Sequence, residues 1–309
     1  MTRRIRTYAQ TTEPAGAELV AQIDAQFERI RVRLAGIRST ILVASGKGGV
    51  GKSFVAAALA AAMADRDLRV GALDADVNGP SLARMLGVIP ARLRVDADGV
   101  HPALTRARCV VMSSDLLLAE PDAPLRWREP QAGGFVWQSA LETGMLREFL
   151  SDVCWGVLDA LVIDMPPGTD KIARILPLLP SINAVLLVTT PSAVASAAVA
   201  RSFTQLRDAG LNNIVLVRNM DGYVCPACRT ISRLFAPVGV TVDDTSDSRN
   251  AASDALADIP RLSIPFDPRA AAAIDSGARL PDDSPVNGPL ARIISRIATI
   301  SEPATDTRP

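Results

Sequence analysis

The chain has 309 residues, 48% of them hydrophobic, and its 33 basic side chains balance 33 acidic ones. That length can bury a sizeable core in one large α/β domain or two small ones, and zero formal net charge argues against a polyanion-binding surface, so no nucleic-acid partner is expected. No apolar run reaches the roughly 20 residues a bilayer span needs, and the basic start, Met1-Thr2-Arg3-Arg4-Ile5-Arg6, lacks the apolar stretch of a secretory or twin-arginine signal. The four cysteines make no disulfide scaffold, and a cytoplasmic location without a membrane partner is expected.

Residues 1 to about 15 read as disordered, and 18–34 as an amphipathic helix with Leu19, Ile23, Phe27, Ile30 and Leu34 on one face. The bland reading, a packing helix, is preferred over a partner-binding one. Residues 1–36 form an N-terminal extension, 37–301 the main domain and 302–309 a disordered tail. The apolar run 41–44 then leads into Ser45-Gly46-Lys47-Gly48-Gly49-Val50-Gly51-Lys52-Ser53, and 54–64 continues as helix. Strand, glycine loop and helix are the context a P-loop requires, and Gly46 to Ser53 matches G-x-x-x-x-G-K-[ST] in full. Such a loop aims backbone N–H groups at phosphate oxygens at a helix N-terminus. Lys52 is expected to reach the β- and γ-phosphates, and the Ser53 hydroxyl to ligate Mg²⁺. Gly46, Gly48 and Gly51 also spell G-x-G-x-x-G, with Asp74 ending the next apolar run. A dinucleotide-binding reading explains these glycines but leaves Lys52 and Ser53 without a purpose, so ATP or GTP is preferred.

Residues 69–74 form a second buried strand that ends in Asp74-Ala75-Asp76-Val77-Asn78-Gly79-Pro80-Ser81. Carboxylates at the end of a parallel strand face the ligand crevice. Asp76 is expected to orient the attacking water and Asp74 to support the metal shell, against the alternative of a helix cap before Pro80. Residues 88–107 read as a loop excursion with a solvated His101, 109–112 as a short strand and 136–150 as a helix, while Cys109 and Cys154 read as buried small hydrophobes. Residues 158–164 form a third strand ending in Asp164-Met165-Pro166-Pro167-Gly168, a Walker B and switch pattern whose carboxylate serves Mg²⁺. Strands at 184–189, 214–219 and 261–264 alternate with helices at 192–209, 271–276 and 290–300. The alternation predicts an α/β fold, a doubly wound, mostly parallel sheet with helices on both faces.

Cys225-Pro226-Ala227-Cys228 is open to three readings: a redox pair, half a metal site, or two structural thiols. Two thiolates complete neither a zinc site nor a cubane cluster. The economical metal-binding solution is a twofold dimer in which each chain donates both cysteines.

The whole constellation resembles the Mrp/ApbC family of iron–sulfur cluster carrier ATPases, in the MinD/ParA class of P-loop proteins with a deviant Walker A motif. The likeness runs from about residue 37 to 285. It is carried by 45–53, 74–81, Trp127-Arg128, 155–159, Asp164-Met165-Pro166-Pro167-Gly168-Thr169, 188–191, Asn219-Met220, Cys225 to Cys228, 264–268 and 275–277. The resemblance implies that Lys47 crosses a homodimer interface to the partner's phosphates and that Asn219 recognises the adenine edge, which favours ATP. It places Gly46 to Ser53, Phe54, Asp74, Asp164, Asn219 and Pro265 around the nucleotide, with Lys47, Lys52 and Asp76 catalytic. It also implies a labile [4Fe–4S] cluster bridged by Cys225 and Cys228 of two subunits, received from a donor or scaffold and handed to apo-proteins. Departures from the family pattern are Phe54, Glu129, Thr169-Asp170-Lys171, Arg218 and a stretch without acid at 193–200. The rival functions are a MinD/ParA-like positioning ATPase and an ATP-gated interaction module with structural zinc at the cysteines.

Overall fold

The structure, a computed structural model, describes residues 13–88, 93–117, 134–233 and 259–301. The expected disorder over residues 1–12 and in the tail, and the motif residues Trp127, Arg128 and Glu129, lie outside the described residues; residues 13–17, by contrast, already belong to the first helix, which starts at Glu13 rather than 18.

Strand β1 (Thr40–Ser45) lies at the centre, flanked in parallel by β7 (Ala160–Asp164) and β8 (Ala184–Thr189). Strand β2 (Val70–Asp74) pairs with β7, β6 (Val110–Met112) with β2, and β9 (Ile214–Val224) with β8, all in parallel. On its far side β9 takes β11 (Arg261–Phe266) in parallel, and its last residues pair antiparallel with β10 (Ile231–Ser232) on the other edge, Tyr223 pairing with both Phe266 and Ser232. Every residue of β1, β2, β7 and β8 is buried, as expected of parallel strands covered on both faces. The two faces separate by strand alternation. Ile41 and Val43 join the layer of α2 (Lys52–Ala64) and α8 (Asn287–Ser301), which adds Leu290, Ile293 and Ile297. Leu42 and Ala44 face the opposite layer, where α4 (Gly134–Asp152) supplies Leu146, Phe149 and Leu150. The fully buried Ala56, Ala57, Ala58 and Ala60 let α2 lie close to the sheet, which brings the P-loop up against the strand ends. The N-terminal helix α1 (Glu13–Leu34) buries Ile30 and Leu34 beside α4 in the second layer, which is the packing role expected of it.

Several elements depart from the sequence reading. The stretch 88–107 holds a two-residue hairpin, β3 (Val95–Asp96) with β4 (Gly99–Val100), and an antiparallel edge strand, β5 (Ala103–Leu104), on β6. Two-residue strands leave no readable period. His101 is not simply solvated, since its Nε2 lies 2.7 Å from Asp96 Oδ2. Cys109 is buried as expected, but Cys154 is only half-buried and points its Sγ at the Asp98 carbonyl 3.3 Å away. Strand β9 runs 11 residues, five past the expected end, because β11 pairs along it from Leu216 to Tyr223 and β10 pairs with Tyr223 and Val224. Helix α7 (Pro268–Asp275) starts three residues before the expected 271, with Pro268 in its first turn and the Asp267 carboxylate accepting the Arg269 N–H.

The short helix α3 (Leu82–Met85) and α7 are locked together by a backbone crossing at Gly87 and Gly277. Both have φ of +66°, and a Cβ on Gly87 would stand 2.4 Å from the Gly277 carbonyl oxygen. Gly87→Ala is therefore expected to destabilise the fold by about 1–3 kcal/mol from backbone strain alone. Chemical denaturation checks this, and an unchanged midpoint would contradict the crossing.

Candidate nucleotide site and cysteine hairpin

The C-terminal ends of β1, β2 and β7 converge, and each carries part of the site. Beyond β1, the Ser45 hydroxyl donates to the Lys47 carbonyl at 2.9 Å and so holds the first turn of the loop. Lys47 is half-buried, and Gly48 and Gly49 are exposed. The loop closes on Gly51, in the left-handed region at φ +77° as the N-cap of α2. A Cβ there would meet Asn219 Nδ2 at 2.3 Å, because the Asn219 amide donates to the Val50 carbonyl at 2.9 Å. Asn219 is 3% exposed. The residue singled out for base recognition thus also braces the phosphate loop. Pro265 is its neighbour: it is buried at the register shift of β11, where Ile264 pairs with Asn219, and a bulge tolerates proline's missing N–H. Phe54 is half-buried and packs against the core.

Lys52 and Asp164 meet at the centre, Nζ to Oδ1 at 2.5 Å, with side chains 7% and 0% exposed. Asp164 Oδ2 is enclosed and has no hydrogen-bond partner. Asp74 is the direct cross-strand partner of Asp164. Its Oδ2 accepts the N–H groups of Ser81 and Leu82 at 2.8 and 2.9 Å, and its Oδ1 that of Asp76 at 3.1 Å. Asp74 therefore performs the capping role and, by the same bonds, shapes the loop that presents half-buried Asp76. Burial first, and the Asp164 charge second, push the Asp74 carboxyl up to about 7. Burial also raises Asp164, opposed by the Lys52 ammonium and the Ser53 hydroxyl. One ammonium facing two buried carboxylates is short of positive charge. The orphaned Asp164 oxygen and the Ser53 hydroxyl form the hard-oxygen donor set that suits Mg²⁺.

The cysteines stand apart from this cluster, at the far end of β9. Cys225 N–H donates to the Thr230 carbonyl at 3.0 Å, and Arg229 N–H to the Cys225 carbonyl at 2.8 Å, closing a tight turn toward β10. Both thiols are free, Cys225 half-buried and Cys228 exposed. Cys228 Sγ lies 3.4 Å from Thr230 Oγ1. Hydrogen bonding from Thr230, and then from Cys225, lowers the Cys228 thiol to about 7, which favours the metal-binding thiolate at neutral pH. Among the described residues, no third His, Cys, Asp or Glu joins the pair.

Residues 36–299 match the family described as ParA, NUBPL iron-transfer P-loop NTPase. The chain belongs to this family. An iron–sulfur cluster carrier protein of Methanocaldococcus jannaschii is 38% identical over 232 residues, 75% of this chain and 76% of its own. A cytosolic Fe-S cluster assembly factor, the NUBP1 homolog of Brugia malayi, is 35% identical over 260 residues, 82% and 78% of the two chains. Among solved structures, a nucleotide-binding protein of Archaeoglobus fulgidus in complex with ADP superposes with a TM-score of 0.65 at 32% identity, covering 85% of this chain and 95% of its own. The cell division ATPase MinD of Pyrococcus furiosus, at 21% identity and TM-score 0.55 over 85% and 99% of the chains, shares the fold. The resemblance to iron–sulfur carriers of the MinD/ParA class therefore holds.

This member of the family has contacts that no spacing in its sequence announces. Glu142, on α4, accepts the Asn78 amide on Oε1 and pairs with Lys171 at 3.4 Å through Oε2, bridging the Asp76 loop and the Walker B helix α5 (Thr169–Ile175). The unusual Lys171 is thereby matched by a carboxylate. The other unusual charge, Arg218, points away from Asn219 by strand alternation and meets Asp221 at 3.4 Å, which also accepts the Ser263 hydroxyl at 2.6 Å.

Gly51→Ala is expected to force Asn219 off the loop at a cost of about 1–3 kcal/mol, lowering nucleotide affinity about tenfold or more. Calorimetric titration checks it, and wild-type affinity would show that Asn219 does not brace the loop. The raised Asp74 carboxyl sets a pH dependence. Its folded value, about 7, exceeds its ordinary 3.8, so the folded chain keeps a proton that the unfolded chain releases, and this contribution is lost as pH rises from about 4 to 7. Across that window wild-type stability is expected to fall relative to Asp74→Asn, by at most about 4 kcal/mol. Urea melts at several pH values read the difference, and a pH-independent gap would contradict it.

Proposed function

We propose that this chain is a Mg-ATP-dependent iron–sulfur cluster carrier: an ATP hydrolase that works as a homodimer and holds a [4Fe–4S] cluster between two copies. The observation that carries this reading is the run of β9, which takes Asn219 at the phosphate loop and delivers Cys225 and Cys228 six and nine residues later. Nucleotide and cargo would thus share one strand.

In the ATP-bound chain, Lys52 turns from Asp164 to the β- and γ-phosphates, leaving that carboxylate free. Ser53 and Asp164 would hold Mg²⁺, which when bound would neutralise charge on the phosphate oxygens. Asp76, on the loop shaped by Asp74, orients the attacking water. Lys47 reaches the phosphates of the partner subunit, so hydrolysis requires the dimer. Asn219 and Pro265 face the base. Two thiolates from each copy supply the four ligands that a cubane needs, and the exposed, acidic Cys228 is the one from which an apo-protein takes the cargo. The names of the relatives support cargo and cytosolic setting alike; in this reading a scaffold is the donor and apo iron–sulfur proteins are the recipients. Neutral net charge argues against the DNA-positioning rival, and α8, the amphipathic helix that a membrane-positioning rival would use, turns Leu290, Ile293 and Ile297 into the core.

Lys52→Ala is expected to abolish tight Mg-ATP binding, and unchanged affinity in a titration would remove the P-loop argument. Anaerobic reconstitution should give about four iron and four sulfide per dimer. Cys225→Ala should lose both while keeping ATP affinity. Stoichiometric zinc with no sulfide would sink the carrier reading in favour of an ATP-gated interaction module.

A further inference from the structure

Arg229 follows Cys228 directly and has a left-handed backbone, φ +64°, which a non-glycine residue adopts only when its surroundings hold it there. Its guanidinium leaves the hairpin and reaches the corner between β11 and α7. Nη2 donates to the Asp283 carbonyl at 3.0 Å and lies 3.6 Å from the Asp283 carboxylate. Nη1 is enclosed, without a hydrogen-bond partner, 3.6 Å from Asp267 Oδ2. Asp267 is itself only 2% exposed. It caps α7 through the Arg269 N–H at 3.0 Å and accepts the Ser284 hydroxyl at 2.9 Å. Arg269 in turn grips both oxygens of Asp283, at 2.8 and 2.7 Å. A buried carboxylate needs a compensating cation, and among the described residues Arg229 is the one in ion-pair range of Asp267.

The placement gives the pair a meaning beyond packing. Asp267 stands two residues past Pro265, at the carboxyl end of a parallel strand, where ligands of such sheets bind. The cysteine turn is therefore fastened to the nucleotide edge twice. One attachment is covalent, along β9 to Asn219. The other runs through space, from Arg229 to Asp267. A single attachment would let the hairpin swivel, whereas two make it follow the corner. We infer that Arg229 is a positioning residue that transmits nucleotide-dependent movement of the Pro265–Asp267 corner to Cys228. The inference rests on the proposed function for its purpose, but the coupling itself can be read without any cluster.

The test is the rate at which Cys228 of the metal-free full chain is alkylated by iodoacetamide at fixed pH, followed by peptide mass spectrometry, with and without Mg²⁺ and a non-hydrolysable ATP analogue. Because Arg229→Ala alone strands a buried charge, the main variant is Arg229→Ala with Asp267→Asn, which keeps a capping oxygen. The ratio of the two rates is compared, since removing a neighbouring cation shifts both. Nucleotide is expected to change the wild-type rate by about fivefold or more. The double variant should show a ratio near one with wild-type nucleotide affinity. Arg229→Lys, which keeps the charge but not the fork, should retain part of the response. A wild-type rate indifferent to nucleotide would overturn the inference, as would a double variant that responds like wild type. Loss of nucleotide binding in the double variant would also overturn it, because Arg229 would then be supporting the nucleotide corner itself. Failure to bind iron and sulfide would remove the carrier reading and leave this measurement standing.

Discussion

The buried contact between Lys52 and Asp164 is the interaction on which the rest of the site turns. An ammonium and a carboxylate out of water are tolerable only as partners, and Asp74 alongside makes the pair a triad short of one positive charge. The phosphate loop, the Asp76 loop and the Walker B segment are each tied to this triad. Lys52 opens α2, Asp74 collects three N–H groups from the loop that follows it, and the Asp164 carbonyl accepts the Ala75 N–H at 2.9 Å. Drawing the lysine toward a phosphate would therefore disturb three segments at once. That is how binding at one point can be felt throughout a site without any element being long or flexible.

Much of this was legible in the residues. The glycine loop, the two aspartates ending apolar runs, and the strand–helix alternation have short, local signatures. Their chemistry demands particular residues at particular spacings, and the fold places them where the alternation predicts. The apolar runs of β1, β7 and β8 are unambiguous because a strand covered on both faces cannot alternate.

What could not be read is long-range or very short. The two-residue strands between 95 and 104 leave no period. The extension of β9 depends on β10 and β11, strands that lie elsewhere in the chain. Asp74 presented two candidate roles, cap and metal support, as if they excluded one another. The structure shows its oxygens occupied by N–H groups while it feels the charge of Asp164, so the capping bonds are what aim the neighbouring carboxylate. Glu142 and Arg229 carry no motif at all. Each matters because of what it touches far along the chain, Glu142 reaching Asn78 and Lys171, Arg229 reaching Asp267, and a single sequence does not record that.

The slenderness of β10 has a consequence for how a held group would come and go. Ile231 and Ser232 are both exposed and form the strand's whole length, so few ladder bonds clasp the cysteine turn on that side, and Arg229 on Asp267 and Asp283 is its other hold. Regions so lightly anchored open at free energies well below that of the whole domain. The turn can fray and reclose while the parallel core, with its fully buried strands, stays intact. Whatever the thiols grip is thus kept on a latch of low local stability, and its lifetime there is governed by that latch and by what leans on it.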